Sequence, residues 1–403
     1  MDATLEVSRR NFVGGLATAV GALGLKPGLE LWAQSRRPRA TPFAQAQAKA
    51  DDYDGFAKLA FNENPYGPPD SVMKAMTMAF KYANRYGYPD GGIVQEIAKL
   101  HGVKKENVLL GAGSGEILDV VGATFLEGEK KVVGVEPTYG SVYSFATGIK
   151  ADAIRVPLLE DYRQDIPAMI KATRTHYRDI GFVYLCNPNN PTGRIINKQE
   201  VKQLLDGIPE DVPVLIDEAY HHFVDDPSYA TSIPYVQDGR LVVVTRTFSK
   251  IAALAGMRLG YAIAPAELVQ RMRPHVTGTI NALVKWAGVA ALKDTESQAH
   301  VKQVTLELRR KATTELEGMG YRVIPSEANF FMVHVRRDVK PLAEQFKKKG
   351  VLVGRPFPPM TEHLRVSVGN PDEMQRFMVA FKEIMATPAP APSTAAAASE
   401  GNG

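Results

Sequence analysis

The chain has 403 residues, 45% hydrophobic and 23% charged, with a formal net charge of +4. That length supports two domains with cores of their own. The charge is small and mixed in sign, and no basic stripe is interleaved with aromatics, which argues against a nucleic-acid partner. The single cysteine, Cys186, cannot close an intrachain disulfide and reads as a small buried hydrophobe.

Ser8-Arg9-Arg10-Asn11-Phe12, followed by a weakly apolar Gly- and Ala-rich run to Leu25, has the pattern of a twin-arginine export signal. The run is too short to span a bilayer comfortably. Residues 1–50 are therefore read as signal and linker, outside the fold. A working leader would place the protein in the periplasm, and an idle one would leave it in the cytoplasm. Residues 51–69 read as an N-terminal arm, because Pro65, Pro68 and Pro69 forbid a regular helix. Asp70 to Ala83 has helical spacing, with Val72, Met76 and Phe80 on one face. A loop, Asn84 to Asp90, leads to a helix from about Gly92 to His101.

From Val108 strands and helices alternate. Val108–Leu110 runs into Gly111-Ala112-Gly113-Ser114-Gly115-Glu116 and then a helix. A glycine-rich turn that opens a helix bares N–H groups for an anion. The strand-like runs Lys131–Val135, Phe182–Cys186, Val212–Ile216 and Leu241–Val244 each lead into a polar cluster. Such alternation implies a mostly parallel sheet covered by helices on both faces, and ligands gather at the carboxyl ends of its strands. Ser114, Tyr139, Asn190, Asp217, Tyr220 and Lys250 all follow strands, so they point to one site. His221 and His222 are adjacent and on a strand would face opposite ways, so no metal site is expected there. The large domain is read as 70–281 and a smaller C-terminal α/β domain as 282–386. From Thr387 the Ala-, Pro- and Ser-rich tail, 387–403, reads as disordered.

Lys250 lies just past a buried strand, in Thr247-Phe248-Ser249-Lys250. A lysine amine in a partly desolvated pocket loses its proton more easily and can condense with an aldehyde. Pyridoxal phosphate is the aldehyde cofactor that enzymes anchor in this way. Its pyridine nitrogen needs a carboxylate, for which Asp217 is the candidate. Its phenolic oxygen needs donors, Tyr220 and Asn190. Its phosphate needs N–H groups and cations; Ser114, Gly115, Ser249 and Arg258 fit, with Thr247 beside them. Tyr139 can lie flat on the ring. The carboxylate of an amino-acid substrate suits the planar fork of Arg365. Each residue also has a plainer role open to it: Asp217 as a helix cap, Asn190 as a turn residue, Arg365 as half of a surface ion pair.

Taken together, these motifs resemble the fold-type I aminotransferases, and within them the histidinol-phosphate aminotransferase group. The resemblance runs from about Leu59 to Met385. It rests on Asn62-Glu63-Asn64-Pro65-Tyr66-Gly67, Asn189-Asn190-Pro191-Thr192-Gly193, Asp217-Glu218-Ala219-Tyr220, Ser249-Lys250 with Leu254-Ala255-Gly256-Met257-Arg258, and Leu364-Arg365-Val366-Ser367-Val368-Gly369. It implies a pyridoxal 5'-phosphate-dependent transaminase that moves an amino group between a donor, glutamate first, and a 2-oxo acid or imidazole-acetol phosphate. An aromatic amino acid aminotransferase and a decarboxylase of a phosphorylated amino acid share the motifs. The resemblance also implies a homodimer with shared sites, in which the tyrosine of an Arg-Tyr-Pro motif reaches the partner's cofactor phosphate. Here the motif reads Arg85-Tyr86-Gly87-Tyr88-Pro89-Asp90, two residues longer. Tyr88 keeps the proline neighbour and is the choice, with Tyr86 as the alternative. Asn64, Tyr66 and Arg355 are added as substrate-binding candidates. Two departures stand out: His222 where the family often has glutamate, and a leader that a histidine-biosynthesis enzyme would not need.

Overall fold

The computed structural model describes residues 53–386, so the readings of the leader and of the tail fall outside the described residues. The chain divides at Gly55, and the fold is that of the unit beginning at Phe56.

Strands and helices alternate through the first two thirds of that unit. They run β1 (Ala57–Leu59), α1 (Asp70–Ala79), α2 (Ile93–His101), β2 (Val108–Gly111), α3 (Ser114–Phe125), β3 (Lys131–Glu136), α4 (Ser141–Gly148), β4 (Asp152–Pro157), α5 (Ile166–Thr175), β5 (Ile180–Cys186), α6 (Lys198–Gly207), β6 (Val214–Asp217), α7 (Ile233–Gln237), β7 (Val242–Thr247), β8 (Gly260–Ile263) and α8 (Ala266–Met272). The remainder is α9 (Ala282–Lys293), α10 (Thr295–Gly318), β9 (Arg322–Ile324), β10 (Phe330–His334), α11 (Val339–Lys348), β11 (Val351–Val353), β12 (His363–Ser367) and α12 (Pro371–Ala386).

Seven strands form the main sheet in the order β2-β8-β7-β6-β5-β3-β4. Its pairings from β4 to β7 are parallel, and β8 runs antiparallel to both β7 and β2. β5, β6 and β7 are buried along their whole length. That is why β5 and the first three residues of β6 and of β7 read as continuous apolar runs: helices cover both faces of a parallel sheet. The alternation of side chains still shows in what each face packs. Val183, Leu185, Ile216 and Val244 join one core cluster, while Phe182, Tyr184, Leu215 and Val243 join the other. A smaller antiparallel sheet, β12-β10-β9, and the parallel pair β1-β11 make a second lobe. Its core includes Phe331, Phe346, Phe377 and Phe381.

Three expectations need correction. β7 continues three residues past Val244 to Thr247, so hydroxyl and guanidinium side chains alternate at its carboxyl end. The residues from 282 do not open the second lobe. Val284, Ala287 and Ala291 of α9 pack in the large core, and α10 passes from that core, at Val301, to the small one, at Ala312 and Leu316. Within the extended arm Ala57–Leu59 form β1, and Ala57 and Leu59 belong to the small-lobe core. Phe80 leaves the buried face of its helix and is exposed, because the last turn there tightens into a 3-10 turn, Phe80–Tyr82. Among the described residues, no helix is long and apolar enough to cross a membrane.

Candidate active site

The carboxyl ends of β3, β5, β6 and β7 converge with the N-terminus of α3. Asp217 is the last residue of β6 and is 3% exposed. Its Oδ1 accepts from Thr245 Oγ1 at 3.1 Å and from the Ala219 amide at 3.1 Å. Both donors are neutral, and both bonds end on the same oxygen. Burial pushes Asp217 up to about 6 against those bonds; the neighbouring Glu218 charge adds to the rise, and Lys250 opposes it. A buried carboxylate with neutral partners on one oxygen fits a cationic pyridine nitrogen at the other.

Lys250 lies three residues beyond β7 and is half-buried. Its Nζ donates to the carbonyl of Phe61 at 3.1 Å and stands 5.6 Å from the Tyr220 ring centroid. Burial brings the amine down to about 8, helped by the Arg365 and Arg258 charges and opposed by Glu63 and Asp217. At that value about a tenth is the free base at pH 7, far more than for an ordinary lysine, and the free base is what condensation with an aldehyde needs.

The start of α3 and Arg258 come together near the lysine. Gly113 caps α3 with φ +84° and no side-chain cap, so the first amides of Ser114–Phe125 lack a side-chain acceptor there. A Cβ on Gly113 would sit 2.0 Å from Arg258 Nη2, and one on Gly115 would sit 4.0 Å from it. Glycine is required at 113 for the positive φ and for that close approach. Arg258 is itself left-handed, at φ +60°, and its Nη1 donates to the Ala255 carbonyl at 2.9 Å, with Ser249 Oγ at 3.5 Å. Thr247 Oγ1 donates to Ser249 Oγ at 2.8 Å and accepts from the Ser249 amide at 3.0 Å, which sets the turn out of β7. Bare amides, hydroxyls and a guanidinium suit an anion. Tyr139 follows β3, and the charges of Asp217 and Arg258 both act on its hydroxyl, which burial and Asp217 hold above its ordinary value.

Arg365, in the middle of β12, crosses from the small lobe. Its Nη1 donates to Asn190 Oδ1 at 2.7 Å and its Nη2 to the Ala60 carbonyl at 2.6 Å. Its Nε is buried without a partner. The guanidinium carbon lies 4.6 Å from the Phe357 ring and 5.5 Å from Phe330, and Arg355 shares Phe357 at 4.4 Å. Burial brings Arg365 down to about 10, with the Arg355 charge adding to the fall and Tyr220 opposing it, so it remains a cation. Asn190 also donates Nδ2 to the Tyr220 hydroxyl at 3.3 Å. Burial holds Tyr220 above its ordinary value, so its hydroxyl stays protonated.

The structure thus brings Ser114, Gly115, Tyr139, Asn190, Asp217, Tyr220, Thr247, Ser249, Lys250, Arg258, Arg355 and Arg365 to one end of the sheet. Of the remaining candidates, Asn64 lines a cleft with Ser249 and Ala255, and Tyr66 lies next to it, whereas Tyr86 and Tyr88 make no contact with these side chains. Asn64 spends its amide on the Ile251 carbonyl at 2.9 Å and its oxygen on the Tyr66 amide at 3.0 Å. Tyr66 lines a groove with Asn64, Ile251, Ala252, Pro69 and His300. Tyr88 donates to the Ile280 carbonyl at 2.5 Å, and Tyr86 is fully exposed. His221 and His222 do not face opposite ways. They occupy a 3-10 turn, not a strand, and their rings lie 3.7 Å apart.

Sequence reasoning missed Asn62 as an individual residue. At φ +55° its Nδ2 donates to the Tyr220 hydroxyl at 3.1 Å, while its amide donates to Ser367 Oγ at 2.8 Å. An asparagine opening a proline-rich arm was the available signal, since asparagine tolerates left-handed backbone. Thr245 was missed because its strand was read as ending at Val244.

Residues 55–381 match the family described as aminotransferase class I and II, and the chain belongs to that family. It is 36% identical over 337 residues to the histidinol-phosphate aminotransferase of Moorella thermoacetica, covering 82% of this chain and 85% of that one. It is also 36% identical over 340 residues to histidinol-phosphate aminotransferase 2 of Carboxydothermus hydrogenoformans, covering 81% and 91%. The fold is shared with the solved histidinol-phosphate aminotransferase of Sinorhizobium meliloti in complex with pyridoxal-5'-phosphate, with TM-score 0.76, 24% identity, and 88% and 99% coverage. The protein is a pyridoxal-phosphate-dependent transaminase.

Proposed function

We propose that this transaminase exchanges an amino group between glutamate and the histidinol-phosphate/imidazole-acetol-phosphate pair. The observation that carries this reading is the Arg365 receptor, a buried guanidinium with an unpartnered Nε, backed by the Arg355 charge on a shared ring. One anion receptor near Lys250 can serve both half-reactions, taking a carboxylate of glutamate and then the phosphate of the second substrate. The names of the relatives support the same pair. Bound pyridoxal phosphate supplies the electron sink that makes the substrate carbon acidic.

The chain's own residues do the rest in this reading. Lys250 Nζ takes and returns the proton at the carbon that carries the amino group. Asp217 holds the proton on the pyridine nitrogen. Tyr220 Oη and Asn190 Nδ2 fix the ring's phenolic oxygen, Tyr139 covers one ring face, and Ser114, Gly115, Ser249 and Arg258 hold the phosphate. Thr247 sets Ser249. The test is a panel of glutamate, histidinol phosphate, aromatic amino acids and a phosphorylated amino acid, read for 2-oxo acid and for carbon dioxide. Fast amino transfer from histidinol phosphate is the expected result. Carbon dioxide release, or a clear preference for aromatic amino acids, overturns it.

We also infer a homodimer exported by a twin-arginine route. Phe61, Met73, Met78, Phe80 and Tyr86 expose large apolar side chains along one stretch of chain, where a second copy would cover them. That stretch includes the Phe61 carbonyl that meets Lys250. Tyr88, or in its place Tyr86, would then serve a partner's phosphate, and comparing Tyr88→Phe with Tyr86→Phe for loss of cofactor affinity decides between them. A monomer by light scattering at micromolar concentration would sink the dimer.

A further inference from the structure

The cofactor-facing carboxylate has a charged counterpart on the other side of the sheet. β6 ends with Asp217, and Glu218 follows it. β7 carries Thr245 and then Arg246 at its end. The register pairs Asp217 with Thr245, and the Glu218 amide donates to the Thr245 carbonyl at 2.9 Å. Side chains alternate between faces along a strand. One dipeptide on each strand therefore makes two bonds on opposite faces. Thr245 Oγ1 meets Asp217 on the cofactor face. On the far face Arg246 Nη2 and Nε meet Glu218 Oε2 at 2.7 and 3.2 Å. The far-face side chains are 8% and 1% exposed. Glu218 is completed by Thr231 Oγ1 at 2.8 Å and by the Ser232 amide at 2.6 Å.

We propose that the Glu218–Arg246 pair is a positioning device for Asp217: it locks the register of β6 on β7 and cancels the second negative charge beside the carboxylate that meets the pyridine nitrogen. This rests on the role given to Asp217 above. A one-residue slip would carry Arg246 to the cofactor face and Thr245 away from it. A buried Glu218 without its cation would be an uncompensated charge next to a second buried carboxylate.

The groups that face the two acids leave few charges in play. Cys186, Tyr139, Tyr184 and Tyr220 surround Asp217, and Tyr229 and Tyr261 act on Glu218 or Arg246; burial holds every one of them above its ordinary value, hence neutral. His101, His221 and His222 lie near Arg246 and are held below theirs by burial and by that guanidinium, hence also neutral. Lys250 acts on Asp217 from the cofactor side. Arg258 and Glu63 act on Lys250.

The pH dependence of pyridoxal-phosphate binding to the apoenzyme, followed by quenching of protein fluorescence, tests this. Asp217 is charged above its midpoint, so its hold on the pyridine nitrogen is lost as pH falls through it. Glu218→Gln leaves Arg246 unopposed and moves that acid limb to lower pH. Arg246→Met leaves Glu218 unopposed and moves it to higher pH. Each shift is on the order of one pH unit for a charge at this separation in a buried site. The double variant returns towards wild type, and Arg246→Lys, which keeps the charge, stays near it. A pair that only bound the strands together would move both single variants the same way, and that result overturns the proposal. So does an unmoved limb in Glu218→Gln, the variant that keeps shape and volume should Arg246→Met fail to fold. Asp217→Asn is the control. If it leaves the acid limb in place, the reading of Asp217 fails. If it removes the limb while Glu218→Gln does not shift it, this inference alone fails.

Discussion

Arg365→Lys separates charge from geometry at the substrate end of the site. The guanidinium is 7% exposed and spans two acceptors at once, Asn190 Oδ1 at 2.7 Å and the Ala60 carbonyl at 2.6 Å, while its Nε has no partner. A lysine ammonium is a point charge on a flexible stem and cannot hold both anchors while facing the ligand. It also loses the cation–π contact with the Phe357 ring. One charge-assisted hydrogen bond is worth about 1.5–3 kcal/mol. Losing one from the ligand, with the anchors loosened, weakens glutamate binding by about 2–3 kcal/mol, or roughly 30- to 150-fold in Kd. Pyridoxal-phosphate affinity changes little, because the phosphate cradle lies with Arg258. The assay is a titration of holoenzyme with glutamate followed in the cofactor's visible absorbance, with cofactor affinity measured on the apoenzyme. A glutamate Kd within threefold of wild type refutes the assignment. An equal loss of cofactor affinity would instead show that Arg365 supports the fold.

Lys250→Ala is expected to abolish turnover while leaving the cofactor bound noncovalently, and borohydride followed by peptide mapping should label Lys250 in the wild type and no other lysine. Asp217→Asn, equal in size and uncharged, should cost about 10²–10³ in kcat, the range for removing one fixed electrostatic partner of the reacting group; a loss below tenfold would place the essential carboxylate elsewhere. His101 and His222 are each brought down to about 3, chiefly by burial. Folding therefore releases protons from them, and their contribution to stability, complete above the ordinary value near 6.5, is lost as pH falls below it. Thermal unfolding between pH 7 and 5 should show a falling Tm, less steep in His222→Gln; a Tm that is flat in the wild type contradicts it. Activity outside the cytoplasm that vanishes in an Arg9→Lys, Arg10→Lys double variant supports export, and wholly cytosolic activity in both forms rules it out.

Much of the architecture is local in origin and was readable along the chain. Val242-Val243-Val244 can be little else than a covered strand, and the turn Gly111–Gly115 has to open a helix. A ligand site at the carboxyl ends of such strands follows from alternation alone, which is why Lys250, Asp217, Asn190 and Ser114 are expected together from the sequence. The recurring motifs from Asn62 to Gly369 carried the family and the cofactor.

What the chain could not reveal depends on partners far away in sequence. Asn62 matters because Tyr220 and Ser367, 158 and 305 residues on, close around it. The receptor proposed at Arg365 depends on how β12 packs, because Asn190 and Ala60 engage two of its nitrogens and Nε is left without a partner. The lobe boundary shifted because α9 had apolar residues that either core could have buried, and only packing chose. By itself the sequence determined which residues could do the chemistry and which end of the sheet they share, because strand burial and turn chemistry act over a few residues. The tertiary structure decided the protonation of Lys250 and Asp217, and which face Glu218 and Arg246 occupy. Desolvation and charge depend on everything that closes around a group, and register depends on the neighbouring strand.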